Sequence, residues 1–308
     1  MRLRVLILPL LFGWASSAAV KSAYDYAFND DFARYQMMPL SAAAYAEDPD
    51  PCFKTAFPYG NASIHKIVHK YIDVSDTDSC KAFSAVSHND KTIILAFRGT
   101  NGFVQLVEEG FETLWDSDKF IAGGRVAHYF NLAFKTVWDE GLKNAFLELR
   151  NTYPDYEVWI TGHSLGGAMA SLAAATIAHL EYVEKSKLKL LTFGQPRVGD
   201  WAFAKAHDSL VFYSYRVVHN RDTVPHVPPE HSPAAWFDGY RHHASEVFYK
   251  NDMKPGQPYT VCHEDEGKTC SDQFYFDPYI TDHLHYYQDR MMFADFGEDG
   301  CPIELLKS

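Results

Sequence analysis

Tyr156-Glu157-Val158-Trp159-Ile160-Thr161-Gly162-His163-Ser164-Leu165-Gly166-Gly167, continuing into an alanine-rich run that reaches Tyr182, decides how this chain folds. Residues 156–160 read as a strand and the alanine-rich run as a helix, which makes residues 162–167 the turn between them. In that setting Gly-x-Ser-x-Gly is a nucleophile elbow. The chain turns too sharply for side chains two residues either side of Ser164, and the hydroxyl is aimed out of the sheet. The start of the helix adds partial positive charge beneath a developing oxyanion. Without its context the pattern would be weak, since chance supplies it in roughly one chain in ten of this length. The alternative is a glycine-rich helix start with an N-capping serine. The strand before and the helix after favour the elbow.

Outward from the elbow the same alternation continues. Residues 91–97 form a compact β-branched and aromatic run that stops at Arg98-Gly99-Thr100, the pattern of a buried strand ending at a turn. From Val126 the residues Phe130, Phe134, Val137, Phe146 and Leu149 recur at helical spacing until Tyr153-Pro154 ends the pattern. Strands are expected over 188–193 and 212–218, with a short helix near 201–206 between them. Strands alternating with helices predict an α/β fold with a largely parallel sheet and right-handed crossovers.

Composition bounds the rest. With 308 residues and 47% hydrophobic content the chain can bury one large core, and no repeat, low-complexity tract or linker divides it. Residues 1–19 read as a signal peptide, with basic Arg2 and Arg4, an apolar run over 5–14 and small residues up to a cut near Ala18 or Ala19. A membrane anchor would need about 20 apolar residues, and Lys21, Ser22 and Asp25 arrive too soon. A single secreted, extracellular domain over 20–308 is therefore expected, with no transmembrane anchor. Loss of Arg2 and Arg4 makes the formal charge of −12 two units more negative, which disfavours nucleic acid and anionic membrane as partners.

Five cysteines in an exported chain suggest disulfides. Cys262 and Cys270 flank a short polar loop that a local bridge would close, while Cys52, Cys80 and Cys301 remain. Paired C-x-x-C spacing is missing, as is H-E-x-x-H, so a metal site is not expected. Asn61-Ala62-Ser63 offers an N-x-[ST] glycosylation sequon.

A serine nucleophile needs a base, and the base a carboxylate, in the chain order Ser, Asp/Glu, His. Asp222 falls just after the strand over 212–218, on the same sheet edge as the elbow, although an Asp in Asn220-Arg221-Asp222-Thr223-Val224-Pro225 is also a common turn former. Chain order alone does not choose the base. His226, His231, His242, His243, His263, His283 and His285 all follow Asp222.

Phe97-Arg98-Gly99-Thr100, Gly162-His163-Ser164-Leu165-Gly166-Gly167, Thr192-Phe193-Gly194-Gln195-Pro196-Arg197-Val198-Gly199, Asp222-Thr223-Val224-Pro225 and Asp282-His283-Leu284-His285-Tyr286-Tyr287 together resemble the class 3 lipases, the family of the secreted fungal triacylglycerol lipases. They come in the family's order over nearly the whole chain beyond the leader. The resemblance implies an α/β-hydrolase fold, a mostly parallel central sheet flanked by helices in a single domain. It implies His283 as base, because the family's histidine heads an H-L-x-Y-[FY] motif, with His285 at the variable position. The oxyanion donors it implies are the backbone N–H groups of Thr100 and Leu165, with Thr100 standing where fungal members often carry Ser. It further implies a Cys52–Cys301 bridge, with Cys80 outside it.

Fungal members also place a helical lid just after the oxyanion turn, here 101–110. Phe103 and Val107, with Val104 adjoining, supply a short apolar stripe that would cover the acyl pocket and turn toward lipid on opening. The competing reading is an ordinary helix packed on the sheet. The implied activity is serine ester hydrolysis of triacylglycerol through an acyl-enzyme on Ser164, with Asp222 and His283, no cofactor and no metal. Its partner would be a neutral lipid or ester at a lipid–water interface; the oligomeric state is not readable. A feruloyl or other polysaccharide esterase and a phospholipase A1 share the triad and fold. A non-catalytic lipid-binding protein loses ground because all three triad positions are filled.

Overall fold

The structure, a computed structural model, describes residues 26–72, 79–100, 103, 107, 114, 116–231, 239–273 and 280–308. The expected leader 1–19 and Val104 lie outside these residues, as does most of the rest of 101–110. Helices α1 (Met38–Ala43) and α2 (Asp50–Ala56) precede β1 (Ala62–Tyr71), β2 (Ser79–Ser87) and β3 (Thr92–Phe97). A small hairpin of β4 (Ser117–Lys119) and β5 (Arg125–Ala127) leads to α3 (His128–Val137) and α4 (Lys143–Thr152). Then follow β6 (Glu157–His163), α5 (Leu165–His179), β7 (Leu188–Phe193), α6 (Trp201–Leu210), β8 (Tyr213–His219), β9 (Glu246–Tyr249), β10 (Thr260–Cys262) and α7 (Phe293–Glu298).

The main sheet runs β1-β2-β3-β6-β7-β8-β9-β10. Pairing is parallel from β3 through β9 and antiparallel at both margins, so the expected mostly parallel α/β sheet is present with antiparallel edges. Strands buried on both faces read as unbroken apolar runs. In β3 every residue is buried, with Ile93, Leu95 and Phe97 in the core on one side and Ile94 and Ala96 in the core on the other. Val158 and Ile160 join the first core and Trp159 the second, as the two-residue period of a strand requires. Burial of each such side chain stabilises the fold by roughly 1.5–3 kcal/mol.

Register carries the site. Phe97, Gly162, Thr192, Arg216 and Glu246 lie in one row across five strands. Thr100, Ser164, Gly194 and Asp222 follow shortly beyond that row, at the carboxyl ends where parallel α/β sheets hold their ligands.

Two helix expectations are corrected. The stretch read as one helical pattern from Val126 is two helices joined by a π turn, Trp138–Leu142, in which Gly141 takes φ 136°, and Val126 itself lies in β5. Glycine enters that conformation without a Cβ penalty, while Trp138 and Leu142 carry the apolar stripe through the break. The alanine-rich helix stops at His179 rather than Tyr182, because Glu181 turns left-handed and the Tyr182 N–H closes back on the Ile177 carbonyl.

Disulfides join Cys52 to Cys301 and Cys262 to Cys270, and Cys80 is buried on β2. Asn61 is exposed in the turn before β1.

Candidate active site

Ser164 sits between β6 and α5 with φ 62° and ψ −131°, a conformation that costs a residue with a side chain about 1–3 kcal/mol and persists only where its surroundings impose it. They do. The Ser164 N–H donates to the Phe193 carbonyl at 3.0 Å, and its own carbonyl receives the Gly167 N–H at 2.9 Å. A Cβ on Gly162 would lie 2.2 Å from the Gly166 carbonyl oxygen, and one on Gly166 would lie 2.2 Å from the Phe97 carbonyl oxygen. Both glycines are thus obligatory for the close approach of β3, β6 and α5. The Ser164 hydroxyl is buried and has no hydrogen-bond partner among the described residues.

Asp222 and His283 meet at the same edge. The His283 Nδ1 lies 3.0 and 2.9 Å from the two Asp222 carboxylate oxygens, both residues fully buried. A carboxylate only accepts, so Nδ1 carries the proton and Nε2 keeps its lone pair. Nε2 is buried with no partner among the described residues, like the serine hydroxyl. Asp222 also accepts the Val224 N–H at 2.9 Å and the Tyr286 hydroxyl at 2.6 Å. Burial pushes the Asp222 carboxyl up, but the His283 charge and these hydrogen bonds outweigh it and hold the group below its usual value of 3.8. The acid therefore stays ionised. His285, one alternative base, instead points Nδ1 at the Thr281 carbonyl 2.8 Å away; His226 faces Asp272, His242 the Pro225 carbonyl and His263 Ser245.

Two residues of this constellation escaped the sequence reading except as motif letters. Tyr286 braces Asp222, and Gly194, at φ 54°, leaves room for the pair: a Cβ there would lie 2.7 Å from both Asp222 Oδ2 and His283 Nδ1. Gly194→Ala should therefore shift the imidazole and lower kcat by roughly 100-fold. Steady-state kinetics on a soluble ester would show it, and a kcat equal to the parent's would refute this packing.

The Leu165 N–H lies in the first turn of α5, where helical partners are lacking, so it is available to an oxyanion. Thr100 is nearly buried, and its hydroxyl accepts the Phe103 N–H at 3.0 Å as a helix cap. Phe103 and Val107 are helical and buried; the Phe103 ring stacks on Tyr129 at 6.1 Å and meets Phe130 edge-on at 5.5 Å. A closed lid and a helix fixed on the body would both bury this face.

A family profile described as Lipase (class 3) matches residues 94–232. A lipase of Caenorhabditis elegans is 36% identical over 302 residues, which covers 90% of this chain and 84% of that protein. The chain belongs to the class 3 lipases. With them it is a carboxylic ester hydrolase. Lipase II of Rhizopus niveus superposes with a TM-score of 0.72 at 26% identity, over 91% of this chain and 98% of that one. A triacylglycerol lipase described as having a serine protease triad for its catalytic centre superposes with a TM-score of 0.66 at 29% identity, over 88% and 95%. This lipase spans about half the length of the curated Rhizopus sequences it also matches.

Two groups of metal-type ligands occur among the described residues of this lipase, His207 with Asp208 and His243, and Glu230 with Glu266 and Asp272. In the first, the imidazoles lie parallel with centroids 3.7 Å apart, so their in-plane lone pairs run side by side instead of converging on one ion. Arg216 beside them opposes a further cation. In the second, the three carboxylates surround the Arg197 guanidinium, which already supplies the positive charge.

The buried histidines give this lipase an acid liability. Burial, above all, lowers His163, His207, His242 and His243, with His207 brought down to about 3. Above the ordinary value of 6.5 folded and unfolded chains both hold them neutral. Below it the unfolded chain takes protons that the folded one refuses, so stability falls with pH, by up to about 1.4 kcal/mol per pH unit for each histidine. Neither nitrogen of His207 has a hydrogen-bond partner among the described residues, so His207→Phe deletes none of the described bonds. Its melting temperature should fall less steeply than the parent's as pH drops below 6.5. Parallel melting curves would contradict the assignment.

Proposed function

We propose that this class 3 lipase is a secreted triacylglycerol lipase that works through an acyl-enzyme on Ser164. The observation that carries the reading is the Asp222–His283 pair, which leaves one imidazole nitrogen basic and unpartnered in the same buried site as an unpartnered serine hydroxyl. His283 removes the Ser164 proton as Oγ attacks the ester carbonyl, and Asp222 stabilises the imidazolium. The Thr100 and Leu165 amides receive the oxyanion. The imidazolium then protonates the leaving alcohol, and water, activated by His283, releases the fatty acid. Catalytic contacts of this kind are often long in the free enzyme and tighten on substrate.

Two disulfides suit an oxidising compartment, and residues 1–19 suit export. The sequon at Asn61, exposed before β1, is a site for glycan addition on that route. No helix among the described residues is long and apolar enough to cross a membrane. Phe103, Val104 and Val107 are proposed to line a lid that opens at neutral lipid.

Purified protein should hydrolyse a triolein emulsion faster than phosphatidylcholine or methyl ferulate, and a serine-directed phosphonate should label Ser164. A short-chain triglyceride should show a jump in rate at its solubility limit that Phe103→Ser with Val107→Ser removes. Preference for the phospholipid would make the chain a phospholipase A1, and preference for the ferulate a polysaccharide esterase. A smooth saturating curve in both proteins would leave an esterase without an interfacial gate, and no turnover of any ester a lipid-binding protein.

A further inference from the structure

His163, the variable letter of the elbow motif, is buried and tied at both nitrogens. Its Nε2 lies 2.8 Å from the backbone carbonyl of His283, and its Nδ1 lies 2.8 Å from the Tyr45 hydroxyl, just beyond α1. A carbonyl only accepts, which places the His163 proton on Nε2 and makes Nδ1 an acceptor for the Tyr45 O–H. The lone pair of that hydroxyl then receives the Gly99 N–H at 3.1 Å. Every donor in the chain has one acceptor. The chain passes through the residue before the oxyanion turn at Thr100, the residue before Ser164, and the backbone of the base.

Two further observations show that the site is built around these groups. A Cβ at Gly99 would lie 2.4 Å from the Tyr45 oxygen, so only glycine admits the hydroxyl. The His163 ring is sandwiched, stacked on Phe293 of α7 at 4.1 Å and on the His283 ring at 4.5 Å. We propose that Tyr45 and His163 are positioning residues that lock the oxyanion turn, the elbow and the base into one geometry. This rests on the proposed roles of Ser164 and His283. Asp222 fixes the base by its side chain, whereas His163 fixes it by its backbone carbonyl and ring face, so each controls a freedom the other leaves open.

Neutrality of His163 is part of the arrangement. Burial, and then the neighbouring His283 charge, hold its pKa well below 6.5, so it offers no second positive charge against the imidazolium that must form beside it. Burial likewise pushes the Tyr45 phenol up, which keeps it a donor.

The test compares Tyr45→Phe, His163→Phe and His163→Gln with the parent on a soluble short-chain ester. His163→Phe keeps the ring stack and deletes both hydrogen bonds, whereas glutamine carries an N–H for the His283 carbonyl and an oxygen for Tyr45. Expected are kcat losses of roughly 10- to 100-fold in both phenylalanine variants with KM little changed, and recovery of most of the loss in His163→Gln. The downfield proton resonance of His283 Nδ1 should move in the two impaired variants and return in His163→Gln. Folded phenylalanine variants with the parent's kcat and resonance overturn the proposal. So does a loss of kcat that only tracks a loss of folded protein while the resonance stays put. If His163→Phe does not fold, Tyr45→Phe, which removes one oxygen, decides by the same two readouts. A parent that neither turns over ester nor takes up phosphonate overturns the underlying triad reading, and this proposal with it, a result separable from active parent and unaffected variants.

Discussion

Ser164→Ala is expected to lower kcat by roughly 10⁶-fold and to leave the fold in place. The size follows from the mechanism, since without Oγ no acyl-enzyme forms and only the oxyanion donors and substrate binding remain. The intact fold follows from the structure. The hydroxyl has no hydrogen-bond partner among the described residues to lose, and the φ of 62° is imposed by the Phe193 and Gly167 contacts of the backbone, which alanine retains. Kinetics and melting should therefore separate cleanly. Residual activity within about 100-fold of the parent, or phosphonate on a residue other than Ser164, would reject the nucleophile.

Comparable in size, His283→Ala should cost about 10⁵- to 10⁶-fold in kcat, and Asp222→Asn about 10⁴-fold. Asparagine at 222 can present an N–H₂ to the imidazole, which then keeps its proton on Nε2 and cannot accept one from serine. His285→Ala serves as the control, because among the described residues that ring bonds only its own turn at Thr281, and it should leave kcat unchanged. Wild-type kinetics for His283→Ala, or a collapse for His285→Ala, would transfer the role to the neighbour.

The central strands and the elbow were legible because burial on both faces leaves a plain mark. The run ending at Phe97, the strand over 188–193 and the alanine-rich helix carry signals that no neighbouring residue disturbs. The flanking strands carried less. In β1 the pairing with β2 shifts register between Ile64 and Lys66, which breaks the alternation by which a strand is recognised. At Gly141 the apolar spacing runs through a break that only backbone angles disclose.

The candidate site divides in the same way. Ser164 announces itself by local context, and Asp222 by its place after a strand. The base did not, since seven histidines follow Asp222 and the one that meets it comes from 61 residues further along the chain. The resemblance supplied His283 where local physics could not. Tyr45 is the extreme case, 118 residues from the ring it touches.

The Cys52–Cys301 bridge, with 249 residues of separation, closes residues 52–301 into a ring and leaves a leading segment that holds Tyr45 and a trailing segment outside it. With the chain pulled on either side of the ring, the covalent load would pass from the leading segment through sulfur into the trailing one, past the sheet rather than across it. Ser164, Asp222 and His283 lie inside the ring, so tension along the covalent backbone bypasses them until the bridge is reduced. Tyr45 lies outside, on the leading segment. Traction would draw its hydroxyl away from Gly99 and His163 before any covalent load reached the triad, so a tethered molecule under force offers a mechanical way to release those two ties without changing a residue.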